Sequence, residues 1–335
     1  MCNLYIFGIP GKIGGAATKI RHLIILLHKV YNITVILRNV SWKHDRVVTS
    51  FLKQYNINYC LLKELPDKLD GVGLAICEGD FFAQGYAREI KRRGLRVIWS
   101  NEMMWEFKGE ADAVKEGLID KVLFVSDFQA AKFADLYKGI PCAIPGNYVA
   151  PEDFEFRERR NPLFTIGRLS RHDPDKYPED FPVFYEEIGL RDVRFRVMAW
   201  DQKLAIKYRW HRFGPEWELL APEKEETDKF LNSLDLFVYP LGHKFKESWG
   251  RSTVEAMLMG CIPLVPAGHQ FHNLIEHERS GFICTDFAQY RYYAHALYED
   301  YSLRTQLSRQ CADHARRKIC DEEEHRAIWV AALTV

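Results

Sequence analysis

Short apolar runs alternate with helix-period segments from the N-terminus onward. Leu4–Ile9 reads as a buried strand and Ala17–Val30 as an apolar helix. Thr34–Leu37, Ala75–Cys77, Arg96–Trp99 and Val122–Val125 read as further strands, and Asp127–Tyr137 as a helix. The segment Gly139–Pro162 holds Pro141, Pro145, Gly146, Pro151 and Pro162, the composition of a linker. The pattern then restarts. Leu163–Ile166, Phe195–Ala199, Leu236–Tyr239 and Ile262–Val265 read as strands, Glu225–Ser233 and Ser252–Met259 as helices. From about Tyr290 the chain is helical and charged. Continuous apolar strands alternating with helices predict βαβ units and parallel sheets. The expectation is an α/β chain of two doubly wound, Rossmann-like domains facing across a cleft, with ligands beyond the carboxyl ends of the strands.

A length of 335 residues favours two cores over one. Apolar residues make up 47% and charged residues 27%, a globular balance. The net charge of zero hides an asymmetry. Residues 1–150 hold 20 Lys and Arg against 15 Asp and Glu, a balance of +5; the rest of the chain holds 26 against 31. A basic first half favours an anionic partner there. Arg88, Lys91, Arg92, Arg93 and Arg96 cluster around a short helix, so peripheral contact with lipid headgroups or a phosphate-rich acceptor is an expectation. Nucleic acid stays open on the same charge, although no recognition motif supports it. The eight cysteines form no C-x-x-C pair and the chain shows no His/Cys cluster, so no metal site is predicted. Scattered thiols and the lack of a signal pattern or spanning run point to the cytoplasm, with membrane contact at most peripheral.

Three blocks carry candidate chemistry. The first is Gly8-Ile9-Pro10-Gly11-Lys12-Ile13-Gly14-Gly15, a glycine-rich loop between a strand and a helix. Backbone there can approach a phosphate or sugar closely. The second is Thr165-Ile166-Gly167-Arg168-Leu169-Ser170 with Lys176 beyond it, two cations in a strand-loop context. The third is Lys246-Glu247-Ser248-Trp249-Gly250-Arg251-Ser252-Thr253-Val254-Glu255, in which two carboxylates are separated by seven residues across a loop that opens a helix. The unpaired amides and positive dipole end of such a helix suit a diphosphate.

The last block resembles the E-x7-E element of retaining GT-B glycosyltransferases, most closely glycosyltransferase family 4. Weaker matches run from Gly8 to about Phe282, including Val125-Ser126-Asp127-Phe128, Pro145–Val149 and Glu276–Phe282. The resemblance implies a hexosyltransferase-type enzyme that moves a sugar from a nucleotide-diphosphate sugar (UDP- or GDP-linked) to a glycan, a lipid or modified nucleic acid. Domain closure around the substrates would exclude water. It assigns residues 1–155 to an acceptor-side domain and 156–314 to a donor domain, with a helix over about 315–335 packing back on the first. Glu247 would contact donor-sugar hydroxyls and Glu255 the ribose. Amides near Ser252 and Thr253, with Trp249, Gly250 and Arg251, would hold the diphosphate. Arg168 and Lys176 would stabilise the departing nucleoside diphosphate, and Gly14 and Gly15 would reach the donor phosphates. No metal or other cofactor is implied.

The chain departs from the family in two places. The histidine that many relatives carry after the fourth strand is replaced by Ser100-Asn101-Glu102-Met103-Met104-Trp105, so Asn101 and Glu102 become the polar candidates and Trp105 a platform. The glycine-rich turn after Phe195–Ala199 is replaced by Trp200-Asp201, which leaves Leu219 and Leu220 as base-pocket candidates. Two other readings stand beside this one. An NAD(P)-dependent oxidoreductase would use the 8–15 loop with Arg38 on a 2′-phosphate. A non-catalytic nucleotide-sugar-binding protein would bind without turnover.

Overall fold

The computed structural model describes residues 1–11, 14–159 and 162–334. Lys12 and Ile13 of the first glycine-rich loop, and Arg160 and Asn161 of the expected linker, lie outside the described residues. The chain divides into two compact units, Met1–Ala150 with Glu322–Val335, and Pro151–Asp321.

Unit 1 is built on seven parallel strands: β1 Cys2–Phe7, β2 Tyr31–Leu37, β3 Asn58–Leu61, β4 Val72–Ile76, β5 Arg96–Ser100, β6 Lys121–Leu123 and β7 Cys142–Ala143. Their order is β3-β2-β1-β4-β5-β6-β7, so the winding reverses between β1 and β4. Side chains alternate between two covered faces. Leu4, Ile6, Val35, Leu74 and Ile98 share one core with Leu23, Ile24 and Leu27 of the helix Gly15–Leu27. Phe7, Ile36, Ala75, Val97 and Trp99 share the other with Phe81, Phe82 and Ile90. A sheet buried on both faces explains why its strands read as unbroken apolar runs. The helix Glu322–Leu333 returns to this unit, where Trp329, Ala332 and Leu333 join the core of Gly15–Leu27.

Unit 2 repeats the plan with six parallel strands: β8 Phe164–Leu169, β9 Val193–Met198, β10 Trp217–Leu220, β11 Leu236–Val238, β12 Ile262–Pro266 and β13 Phe282–Cys284. Their order is β10-β9-β8-β11-β12-β13, with the reversal between β8 and β11. Ile166, Val197, Leu236 and Ile262 pack against Tyr177, Phe181 and Tyr185. Each reversal parts the loops at the strand ends and leaves a crevice beyond the carboxyl ends of the two strands.

The basic cluster predicted as a lipid-facing surface is internally neutralised. Arg88 pairs with Glu116 at 2.5 Å, Lys91 with Asp120 at 2.9 Å and Arg92 with Glu89 at 2.9 Å. Arg93 is buried, bonding Glu89 and the carbonyls of Leu65 and Pro66. Among the described residues no helix is long and apolar enough to cross a membrane.

Trp329 is fully buried against Lys19, whose ammonium lies 4.9 Å from its ring centre. Trp329→Ala should destabilise the unit that holds it by about 3–5 kcal/mol. Denaturant unfolding followed by amide exchange in the strands of unit 1 measures this loss.

Candidate active site

The strongest convergence of predicted residues lies at the reversal of the second sheet. Arg168 is the penultimate residue of β8, and Tyr239 and Pro240 follow β11 directly. The Arg168 guanidinium is 0% exposed. It donates to the carbonyl of Pro240, to the carbonyl of Lys176 at 2.8 Å and to the Ser170 hydroxyl at 3.3 Å. It also lies 3.9 Å from the ring centre of Tyr177 and 4.4 Å from that of Tyr239. One buried cation thus joins the loop after β8 to the loop after β11.

That joint brings Lys176 to Glu247. The Lys176 ammonium donates to Glu247 Oε2 at 3.0 Å and to the Tyr239 hydroxyl at 3.2 Å, and the Tyr239 hydroxyl donates to the same carboxylate oxygen at 3.0 Å. All three side chains are buried. Burial alone would raise the Glu247 carboxyl, but the Lys176 charge and the two hydrogen bonds override it and hold it below its ordinary range. Burial likewise opposes the Lys176 charge, and Glu247 restores it, so the Lys176 pKa is raised. Arg171, exposed on the loop just past β8, adds its field to Glu247 in the same direction.

Glu247 leads into the helix Arg251–Leu258. Gly250 precedes it at φ 108°, a left-handed conformation, and a Cβ there would stand 2.8 Å from Phe271. Glycine is therefore required where the chain turns into the helix. As the N-cap residue, Gly250 offers no capping side chain. At the other end Gly260, at φ 71°, closes a turn in which Cys261 N–H reaches the Ala256 carbonyl at 2.9 Å. The Arg159 guanidinium bonds the carbonyls of Met259 and Gly260 at 2.7 Å each.

Two polar groups on this helix lack a hydrogen-bond partner among the described residues. The Thr253 hydroxyl is fully buried and unbonded. The buried Glu255 carboxyl has no hydrogen bond or ion pair among the described residues, and desolvation lifts its pKa to about 7 against a smaller pull from Arg251. Buried polar groups ordinarily find partners, so an unsatisfied pair on an uncapped helix start marks a place for a ligand.

Around this centre, Leu220 ends β10 and its carbonyl accepts the Trp200 N–H at 2.8 Å, which brings the base-pocket candidate beside the Trp200-Asp201 turn. Ala199, just before that turn, sits at φ 70°, a strained position for a residue with a Cβ. Trp249 is buried rather than presented to solvent. His269 was not singled out in the sequence. Its Nδ1 accepts the Glu247 N–H at 3.4 Å, and burial followed by Lys246 lowers its pKa, so the neutral ring steadies the loop that holds Glu247. The signal available was its place just after the apolar strand that follows the helix.

The remaining candidates belong to unit 1. Gly14 and Gly15 open the helix Gly15–Leu27, and an added Cβ at either would meet nothing within 4 Å, which leaves open space above the backbone. Asn101 is fully buried and committed to its own loop. Its amide donates to the Trp105 carbonyl at 3.0 Å and its oxygen accepts the Met103 N–H at 2.7 Å. Glu102 forms a buried ion pair with Lys19 and accepts from the Ser100 hydroxyl at 2.9 Å. Trp105 is exposed. Arg38, the candidate for a 2′-phosphate, is ion-paired with Glu78. Among the described residues no three His, Cys, Asp or Glu side chains gather as a metal-binding group.

The structure of the chain is similar to several solved glycosyltransferases. HepE of Anabaena in complex with UDP and glucose superposes with a TM-score of 0.76 at 13% identity, with 100% of each chain covered. A glycosyltransferase from Rickettsia africae gives 0.75 at 10% identity, covering 99% of this chain and 98% of that one. Sucrose-phosphate synthase from Thermosynechococcus elongatus gives 0.69 at 10% identity over the same shares. At these identities the likeness establishes the fold: two Rossmann-like domains of the GT-B kind. No protein-family profile and no curated protein sequence matches the chain.

Glu255 should make the ligand-free protein acid-tolerant. Its folded pKa lies above its unfolded value, so its contribution is complete below about pH 4.5 and lost as pH rises through about 7. The loss is on the order of 3 kcal/mol. Thermal unfolding of wild type and Glu255→Gln between pH 5 and 8 checks this, and the variant should show a shallower slope, the remainder coming from buried Glu110, which is also raised to about 7.

Proposed function

We propose that this protein is a retaining glycosyltransferase that takes its sugar from a nucleoside-diphosphate sugar. One observation carries the reading: the Lys176–Glu247–Tyr239 cluster stands at the sheet reversal, and the helix that follows has an uncapped start, an unbonded Thr253 hydroxyl and an unpartnered Glu255. A diphosphate satisfies the helix amides and Thr253. Ribose hydroxyls satisfy Glu255, and sugar hydroxyls satisfy the free oxygen of Glu247. The UDP complexes of HepE support a uridine donor as the first to test, with guanosine as the alternative.

The resemblance placed Arg168 on the diphosphate. Its enclosure supports a positioning role: it holds Lys176 and the exit of β11 in register. Lys176 and the exposed Arg171 then supply the cations that stabilise charge growing on the leaving group. In the transfer step the acceptor hydroxyl bonds to the anomeric carbon on the face the diphosphate leaves. The C–O bond to phosphate breaks, and the departing phosphate oxygen takes the hydroxyl proton. Protein cations and amides carry this step without a metal, so transfer should persist in EDTA. Gly14 and Gly15 keep the role the resemblance gives them, towards the donor phosphates, and Asn101 and Glu102 remain the polar candidates in place of the relatives' histidine, with Asn101 acting through its loop. The dinucleotide reading is less supported, because Arg38 is held by Glu78.

Thermal shift with UDP, GDP, ADP and NADPH tests the assignment. A nucleoside diphosphate at a hundredfold excess over its Kd should stabilise the protein by about 2.7 kcal/mol. Arg171→Ala should weaken that binding by about tenfold without altering the unliganded protein. Stabilisation by NADPH alone would sink the proposal. Glu247→Gln, nearly isosteric, should retain the fold and lose transfer by at least a hundredfold, read as sugar release from the responding donor. A fully active variant would remove Glu247 from the mechanism, and binding without turnover in wild type would favour the non-catalytic reading.

A further inference from the structure

The segment Gln202–Phe213 of unit 2 carries Lys203, Lys207, Arg209 and Arg212 and no acidic residue. It comprises the helix Gln202–Lys207 and the turn that follows. Trp210 is 85% exposed, the most exposed large apolar side chain among the described residues, and Ile206 is 53% exposed. The Arg209 guanidinium lies 5.1 Å from the Trp210 ring centre and donates to the Ile206 carbonyl at 3.1 Å. Lys207 points inward, bonding the carbonyls of Pro174 and Tyr177 at 2.9 and 2.7 Å and pairing with Glu179. Among the described residues Lys203, Arg209 and Arg212 have no acidic partner within ion-pair distance.

The platform under these side chains is rigid. Leu204 and Tyr208 are buried. The Tyr208 ring stacks on Trp200 at 5.6 Å and its hydroxyl donates to the Pro178 carbonyl. His211 is fixed to Glu186 at 2.9 Å. The exposed tryptophan is therefore presented on a tethered turn. An indole and a branched aliphatic chain ringed by unpaired cations suit the boundary between lipid headgroups and acyl chains. The ring enters at headgroup depth while the cations meet lipid phosphates. Single-stranded nucleic acid asks for several stacking rings along a cationic track, and Ile206 offers it nothing.

We propose that the Ile206–Trp210 face, with Lys203, Arg209 and Arg212, docks unit 2 on an anionic membrane surface. This face replaces the Arg88–Arg93 cluster, whose charges are spent within the protein. The proposal is independent of the sugar-transfer reading.

Co-sedimentation with vesicles of phosphatidylcholine containing about one-third phosphatidylglycerol tests it, with pure phosphatidylcholine as reference. Wild type should bind the anionic vesicles only, and binding should weaken as salt is raised. Arg209→Ala with Arg212→Ala should lower partitioning by roughly 30-fold, and Trp210→Ala should lower it further. Arg88→Ala with Arg92→Ala should leave it unchanged. All the substituted side chains are exposed, and equal melting temperatures confirm that each variant folds. Failure to bind anionic vesicles, equal binding by every variant, or dependence on Arg88 and Arg92 would overturn the proposal. So would binding of a single-stranded oligonucleotide through Trp210 with no vesicle binding.

Discussion

Arg168 donates from a position without solvent access to the carbonyls of Pro240 and Lys176, between the rings of Tyr177 and Tyr239. The loops after β8 and β11 cannot part without stranding a charge and two carbonyls in an apolar interior, a cost of several kcal/mol. Every other feature of the site follows from that restraint. It sets Lys176 within reach of Glu247, and Tyr239 bonds both. A pair held this firmly keeps both charges in a buried place, where either alone would be driven neutral.

The two sheet reversals treat charge differently. At the first, Lys19 meets Glu102 and Arg38 meets Glu78, so the strand ends of unit 1 close on themselves. At the second, the Lys176–Glu247 pair leads into the helix of Thr253 and Glu255, whose side chains have no hydrogen-bond partner among the described residues. The same winding thus supplies a self-satisfied crevice in one unit and an unsatisfied one in the other. That contrast separates the two crevices more sharply than the fold does, since the fold serves many functions.

Most of the architecture was legible because doubly covered parallel strands must be apolar on both sides. β1, β2, β5, β8, β11 and β12 all appear in the sequence as such runs. The strands that escaped were β3, β7, β10 and β13, which are short and lie at sheet edges; β3 and β10 also carry the polar residues Asn58 and Glu218. β7 lies inside the proline-rich segment read as linker. Residue type was legible at the site, whereas partnership was not. Arg168 in a strand-loop context looks the same in sequence whether it faces phosphate or two backbone carbonyls. Arg88, Lys91 and Arg92 look cationic until Glu116, Asp120 and Glu89 are placed beside them. The carboxylates Glu247 and Glu255 were legible because their spacing fits a loop opening a helix, and the structure places them on that element.

Arg159 gives the short helix Arg251–Leu258 an electrical asymmetry. At about 1.5 Å per residue its eight residues span roughly 12 Å. The guanidinium on the carbonyls of Met259 and Gly260 quenches the negative pole from within the protein. The positive pole is entered through Gly250, which has no side chain to cap it. The helix behaves as a battery with one terminal already wired, and the sign of the other terminal favours an anion.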